Sequence, residues 1–241
     1  MQPDLAFALE LADVADAITL ARFRAADLHV ETKPDLSPVS EADRAVEEAL
    51  RERIARERPG ESVLGEEEGG EDGDWVIDPI DATKNYVRGI PLYATLIALE
   101  GRVAVVSAPA LQKRWWAARG EGAFADGRPL RVSGVRRIED AVLTFTSPHA
   151  QGPGFYRLVE RSWAPRGFGD FWQYMLLAEG AVDLCVESVA EHWDLAAPKL
   201  IVEEAGGVLT DLRGVDTATG GDCLASNGLL HAEALAELRA E

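Results

Sequence analysis

Four acidic residues stand where apolar runs give way to loops: Glu66, Asp78, Asp81 and Asp194. Asp78-Pro79-Ile80-Asp81 follows the apolar run Trp75-Val76-Ile77. Pro79 cannot continue a sheet ladder, so Asp78 is expected at the carboxyl end of a strand, where the chain turns out. Asp81, just ahead of Ala82-Thr83, is placed to cap a new helix. Two carboxylates packed together at the end of an apolar strand repel and lose hydration unless a cation lies between them. Mg2+ takes oxygen ligands, commonly one or two carboxylates with substrate phosphate and water. On this tetrapeptide alone, a metal site and a strand end followed by a helix cap explain the residues equally well. Glu66 follows Ser62-Val63-Leu64-Gly65, which predicts it at the end of a neighbouring strand. Asp194 follows Trp193 at the start of a helix, where free N–H groups favour an anion. Either could be a cap or a solvated acid, but four acids at four such edges together favour a cation site.

The elements that must position these acids can be read from periodicity. Leu5, Leu9, Ala12, Val14, Ile18, Leu20 and Phe23 recur near helical spacing and predict an amphipathic helix over 3–26. The Pro-interrupted stretch from Lys33 to Val39 must be extended or a turn. Ser40 then fits an N-cap, with Asp43 at the third helical position and the helix running to about Arg56. Its charged face, Glu47, Glu48, Arg51 and Glu52, is expected to be solvated. From Ser62 onward the pattern is strand-like, with runs too apolar on both faces for an exposed hairpin, as in a sheet covered by helices. Residues 113–132 predict a hairpin with Asp126-Gly127 as its turn. Downstream, helical patterns near 154–163, 170–180, 193–205 and 230–240 alternate with strand patterns near 182–187, 207–211 and 223–226. Helix and strand mixed in layers, with two sheets, is the expected architecture. A composition shift near Thr144 suggests an N-terminal lobe of residues 1–143, carrying most of the acids, and a C-terminal lobe of 144–241.

Charge excludes several function classes. The chain has 241 residues, with 42 acidic against 24 basic side chains and a net charge of -18. Such a surface repels nucleic-acid backbones and anionic membranes, but not metal cations or cationic small molecules. The N-terminus shows neither a basic n-region nor an apolar h-region, and no apolar run approaches a membrane span, so a cytoplasmic protein is expected. Cys185 and Cys223 lie in apolar stretches and are expected as buried thiols rather than a disulfide.

Four blocks resemble the inositol-monophosphatase-like superfamily of metal-dependent, lithium-sensitive phosphatases. They are Gly65-Glu66-Glu67, then Asp78-Pro79-Ile80-Asp81-Ala82-Thr83-Lys84-Asn85-Tyr86, then Trp193-Asp194-Leu195-Ala196-Ala197, and finally Glu204-Ala205-Gly206-Gly207. The stretch from Lys33 through Ser37-Pro38-Val39 to Ala42-Asp43 also fits the family's first loop and helix. The resemblance spans nearly the whole chain, in order. Blocks at 32–39, 106–120, 169–183 and 226–231 are similar to the histidinol-phosphate phosphatases within that superfamily.

The resemblance implies an α+β fold layered α-β-α-β-α, a homodimer, and two or three Mg2+ ions at one site. It implies that Glu66, Asp78 and the Ile80 carbonyl hold one ion, and that Asp78, Asp81 and Asp194 hold another. Glu66, through water, would support a third. It further implies that Thr83 and Asp43 orient and deprotonate the attacking water, with Glu67 steadying water nearby. Phosphate would rest on the amides of Ala82 and Thr83, beside Glu66, Asp81 and Asp194. The family carries Gly where this chain has Ala82. A negative φ is expected there, with the methyl only narrowing the pocket.

Asp170 and Glu187 match positions that touch the alcohol part of family substrates. Carboxylates there would attract the ammonium and imidazole of histidinol phosphate, the product then being histidinol on the way to histidine. Inositol monophosphate or another small phosphate ester is the alternative, and a catalytically silent cation-binding protein is the alternative of another class. Arg166 could touch phosphate or pair with Asp170. Trp172 and Tyr174 are expected in the core. His149 and His192 lack partners at ligand spacing, so zinc is not expected.

Overall fold

The computed structural model describes residues 2–34, 36–70, 73–149 and 151–240. The first helix, α1 (Pro3–Arg22), is followed by two short paired strands, β1 (Val30–Thr32) and β2 (Pro38–Ser40), and by α2 (Glu41–Glu57). A seven-stranded sheet then forms from β3 (Val63–Gly65), β4 (Trp75–Asp81), β5 (Ala94–Leu99), β6 (Val103–Ala108), β7 (Lys113–Ala118), β8 (Gly122–Ala125) and β9 (Arg128–Pro129), in that order. The short helix α3 (Thr83–Val87) lies between β4 and β5.

The second half supplies β10 (Val142–Thr144), α4 (Pro153–Arg161), β11 (Ala164–Arg166), α5 (Asp170–Ala178) and β12 (Leu184–Glu187). It ends with α6 (His192–Glu204), β13 (Val208–Thr210), β14 (Cys223–Ser226) and α7 (His231–Arg239). These strands make a five-stranded sheet in the order β11-β10-β12-β14-β13.

Alternation along each strand sorts side chains into three cores and so builds the layers. Trp75, Ile77, Ile97 and Val105 face Leu11, Val46, Leu50 and Ile54 of α1 and α2. Val76, Leu96, Ala98 and Val106 point the other way, onto Met175 and Leu177 of α5 and Leu195 and Ile201 of α6. Cys185 and Ala225 close that middle core from the second sheet. Their neighbours Leu184, Val186 and Leu224 face outward to Phe155 and Leu158 of α4 and Ala234 of α7. The result is the expected α-β-α-β-α stack.

Several expectations are refined. Ser40 caps α2, and Asp43 answers it: Asp43 Oδ2 accepts from Ser40 N at 2.8 Å and from Ser40 Oγ at 2.6 Å. The predicted hairpin over 113–132 is a three-stranded meander. Asp126 and Gly127, both at positive φ, turn β8 into β9, as a type I′ turn requires. The charged face of α2 is not all solvated: Glu48 and Glu52 are exposed, whereas Glu47 is completely buried. Cys185 and Cys223 are buried free thiols. Among the described residues no helix is long and apolar enough to cross a membrane.

Candidate active site

The acids converge because of sheet register. β3 runs parallel to β4 with Gly65 opposite Ile77, so Glu66, one residue on, emerges beside Asp78. β4 does not end at Asp78 as expected but continues to Asp81. Asp78 pairs with Leu96 and Asp81 with Ala94, three residues on β4 against two on β5, so one residue is extra. This bulge absorbs Pro79, whose missing N–H would otherwise leave a gap in the ladder. Asp81 is therefore a strand residue, and Ala82 takes the N-cap position of α3. Asp194 comes from the other half of the chain, as the third residue of α6, its Oδ2 accepting from Glu191 N at 2.8 Å.

Carboxylate oxygens of Asp78, Asp81 and Asp194 all lie within 4.8 Å of one another. Burial drives the Asp78 and Asp81 pKa values well above the carboxylate range, and neighbouring acids push them further in the same direction. Burial pushes Asp194 up to about 7, against the lowering hydrogen bond from Glu191. Asp78 Oδ1 is buried without a hydrogen-bond partner. An all-oxygen donor set with a buried, unpartnered carboxylate oxygen fits a hard divalent cation such as Mg2+.

Glu66 lines the same cleft but stands outside that group of three, held by Lys33 Nζ at 2.8 Å. Lys33 also binds Glu67 at 2.6 Å, and Glu67 lies behind the cleft wall rather than in it. Thr83 Oγ1 is within hydrogen-bond distance of two acceptors, the Ile80 carbonyl at 2.8 Å and Asp43 Oδ1 at 3.1 Å. Burial raises the Asp43 pKa, and the hydrogen bonds from Ser40 oppose that rise.

Ala82 has φ +65° and ψ +43°, the left-handed conformation, so the expectation of a negative φ is overturned. The bulge and the immediate start of α3 demand that turn, and a non-glycine residue pays about 1–2 kcal/mol for it.

Across the cleft, of about 460 Å³, stand Asp170 at the start of α5 and Glu187 at the end of β12. Burial raises both pKa values. Thr146 ties them together: its N–H donates to Glu187 Oε1 at 2.6 Å, and its Oγ1 accepts from Asp170 N at 2.9 Å. Gln173 Nε2 adds a second donor to Glu187 at 2.7 Å. Thr146 lies in none of the sequence blocks, and Gln173, although inside the 169–183 block, is not singled out there as a site residue. Tyr174 lines the cleft yet is nearly fully buried, its hydroxyl 3.2 Å from Cys223 Sγ, while Trp172 packs edge-on against Trp115. Arg166 sits on the edge strand β11 with Nη1 donating to Pro165 O, and is not part of the cleft wall.

A model of the family described as the inositol monophosphatase family matches residues 1–241. The chain belongs to the inositol monophosphatase family. Relatives include a histidinol-phosphatase of Mycobacterium tuberculosis, 53% identical, with 98% of each chain covered. A histidinol-phosphatase of Streptomyces coelicolor is 50% identical, with 98% of this chain and 96% of that protein covered. Among solved structures, an IMPase of Thermotoga maritima matches with a TM-score of 0.90 at 31% identity, over 98% of this chain and 97% of that one. As a member of the inositol monophosphatase family the chain is a phosphatase, and the family's dependence on metal accords with the carboxylate cluster.

Proposed function

We propose that this chain is a Mg2+-dependent histidinol-phosphatase, hydrolysing L-histidinol phosphate to L-histidinol and phosphate in histidine biosynthesis. The observation that carries the substrate is the near full-length similarity to two histidinol-phosphatases at half or more of all positions. The chemistry is supported by the buried triad of Asp78, Asp81 and Asp194.

Asp78, Asp81 and Asp194, joined by Glu66 and the Ile80 carbonyl, would hold the metal. When bound, Mg2+ supplies Lewis acidity and neutralises charge during phosphoryl transfer. Thr83 orients the attacking water, since a hydroxyl accepts one proton while donating its own. Asp43, within reach of that hydroxyl, is the terminal acceptor, and its raised pKa brings it nearer the range of an effective general base. Glu67, paired with Lys33 behind the cleft wall, would steady water from there without touching substrate. The Ala82 and Thr83 amides receive the phosphate oxygens.

Asp170 and Glu187 face the leaving alcohol. A cationic ammonium or imidazolium arriving between two buried acids would draw both into their charged forms, an attraction that a neutral inositol ring cannot provide. Arg166, outside the cleft wall, is given no part. Hydrolysis of histidinol phosphate, inositol 1-phosphate, fructose 1,6-bisphosphate and a 3′-phosphonucleotide, each with Mg2+, tests the substrate. Histidinol phosphate should have the highest kcat/KM, and equal turnover of inositol phosphate would sink the assignment.

A further inference from the structure

The motif glycine Gly65 lies against a residue that no sequence motif marks. Glu47, in the second turn of α2, is fully buried, with its carboxylate under the loop that carries Glu66. Glu47 Oε2 accepts the N–H of Glu67 at 2.7 Å, and Oε1 accepts the N–H of Glu68 at 3.0 Å. Its charge is balanced by Arg51, one turn on, which is 2.8 Å from Oε1. Arg51 also reaches past it, donating to the carbonyls of Val63 at 3.1 Å and Gly69 at 2.5 Å. The Val63–Gly69 segment is thus gripped at both ends and at its centre by an ion pair of a buried Glu47 and a partly exposed Arg51. A Cβ on Gly65 would stand 2.2 Å from Glu47 Oε1 and 2.7 Å from Oε2, so any side chain there must displace the Glu47 carboxylate from the loop amides.

We infer that Glu47 is a positioning residue of the metal site: it fixes the backbone after Gly65 so that Glu66 is presented beside Asp78. Two features separate this role from plain structural burial. A buried carboxylate with one counter-ion costs desolvation, and an apolar residue at this helix position would pack against the sheet without that cost. The carboxylate also spends its acceptors on the two amides immediately after Glu66. The same face of α2 carries Asp43 one turn earlier, so one helix sets both the Thr83 partner and the Glu66 loop. Groups that orient metal ligands typically change metal affinity roughly 10- to 100-fold when removed.

The inference rests on Glu66 being a metal ligand, as proposed above, and the test separates the two. Mg2+ is titrated calorimetrically into metal-free parent, Glu47→Gln, Gly65→Ala and Glu66→Gln, with thermal unfolding recorded for each. Glu47→Gln keeps size but turns an NH2 toward one loop amide. Gly65→Ala pushes the Glu47 carboxylate away from the opposite side. Both should weaken Mg2+ binding by roughly 10- to 100-fold. In Glu47→Gln, kcat should return close to the parent value at saturating Mg2+, with KM for substrate unmoved. Adding Gly65→Ala to Glu47→Ala should weaken Mg2+ binding no further, because the clash has lost its partner. Parent-like Mg2+ affinity in Glu47→Gln and Gly65→Ala, with affinity lost in Glu66→Gln, overturns the role of Glu47 alone. Parent-like affinity in Glu66→Gln removes Glu66 from the site and the inference with it. Loss of kcat in Glu47→Gln that saturating Mg2+ does not restore, in step with lost thermal stability, reduces Glu47 to a structural residue and overturns it too.

Discussion

Asp78 and Asp81 are three residues apart, an odd spacing that in a regular strand would send their side chains to opposite faces of the sheet. The extra residue on β4 between them, set against a regular two-residue step from Leu96 to Ala94 on β5, changes that parity, and both carboxylates reach one cluster. The same irregularity leaves Ala82 in the left-handed region, at φ +65°. Glycine there would relieve about 1–2 kcal/mol of strain and return part of it through greater unfolded-state entropy. Ala82→Gly should therefore stabilise the protein by about 0.5–1 kcal/mol, raising Tm by roughly 1–4 °C at this chain length, without loss of kcat. Thermal unfolding with a parallel assay checks this. A lower Tm would mean that the methyl makes packing contacts worth more than the strain.

At the scale of elements, α2 joins stability to chemistry through its cap. Ser40 and Asp43 satisfy each other, and the free oxygen of Asp43 is the one within reach of Thr83. Ser40→Ala should cost about 1 kcal/mol, the usual value for losing an N-cap. It should also move the pH profile. The Ser40 hydroxyl favours ionised Asp43, so its loss raises the Asp43 pKa further. If Asp43 must be ionised to accept a proton, the acid limb of kcat/KM shifts to higher pH, and activity at pH 6 falls more than activity at pH 8. A limb that stays in place would exclude Asp43 as the base. β3 and β4 make the complementary contribution, placing Glu66 beside Asp78 by parallel register across a loop that α2 supports from below.

At the scale of the molecule, folding gathers acids from both halves of a chain that already carries a net charge of -18. Without metal, Asp78, Asp81 and Asp194 bind protons more tightly folded than unfolded. The folded state then holds more protons between the ordinary carboxylate range and about pH 7, so stability falls as pH rises through that window. In EDTA, Tm should decline from pH 5 to pH 7.5. His231, whose pKa burial lowers, acts in the opposite sense, but it sits on α7 outside the cleft and cancels when curves with and without Mg2+ are compared. The Mg2+-induced rise in Tm should be small at pH 5 and largest above pH 7, because ligand carboxylates must be ionised. Asp78→Asn should raise Tm in EDTA at pH 7.5 and abolish most of the Mg2+ response. A Tm in EDTA that climbs over this window would contradict the cluster's electrostatics.

Sequence by itself determined the layered architecture, the cap on α2, the buried thiols and the acids that meet in the cleft. Each depends on short-range information: helical or alternating periodicity, a cap three residues from its answer, or an apolar run ending in a charge. Tertiary structure decided which face each acid uses. The parity of Asp78 and Asp81 depends on the register of β5, and the left-handed turn at Ala82 follows from the bulge that register creates. It also decided that Glu47 is core rather than surface. Helical spacing places Glu47 among charged neighbours, and only the loop after β3 supplies the two amides that make its burial tolerable. Lys33 holding Glu66, and Arg166 standing outside the cleft, are likewise products of how distant segments pack. Periodicity is a property of one segment, whereas register, burial of a charge and the partner it finds belong to pairs of segments.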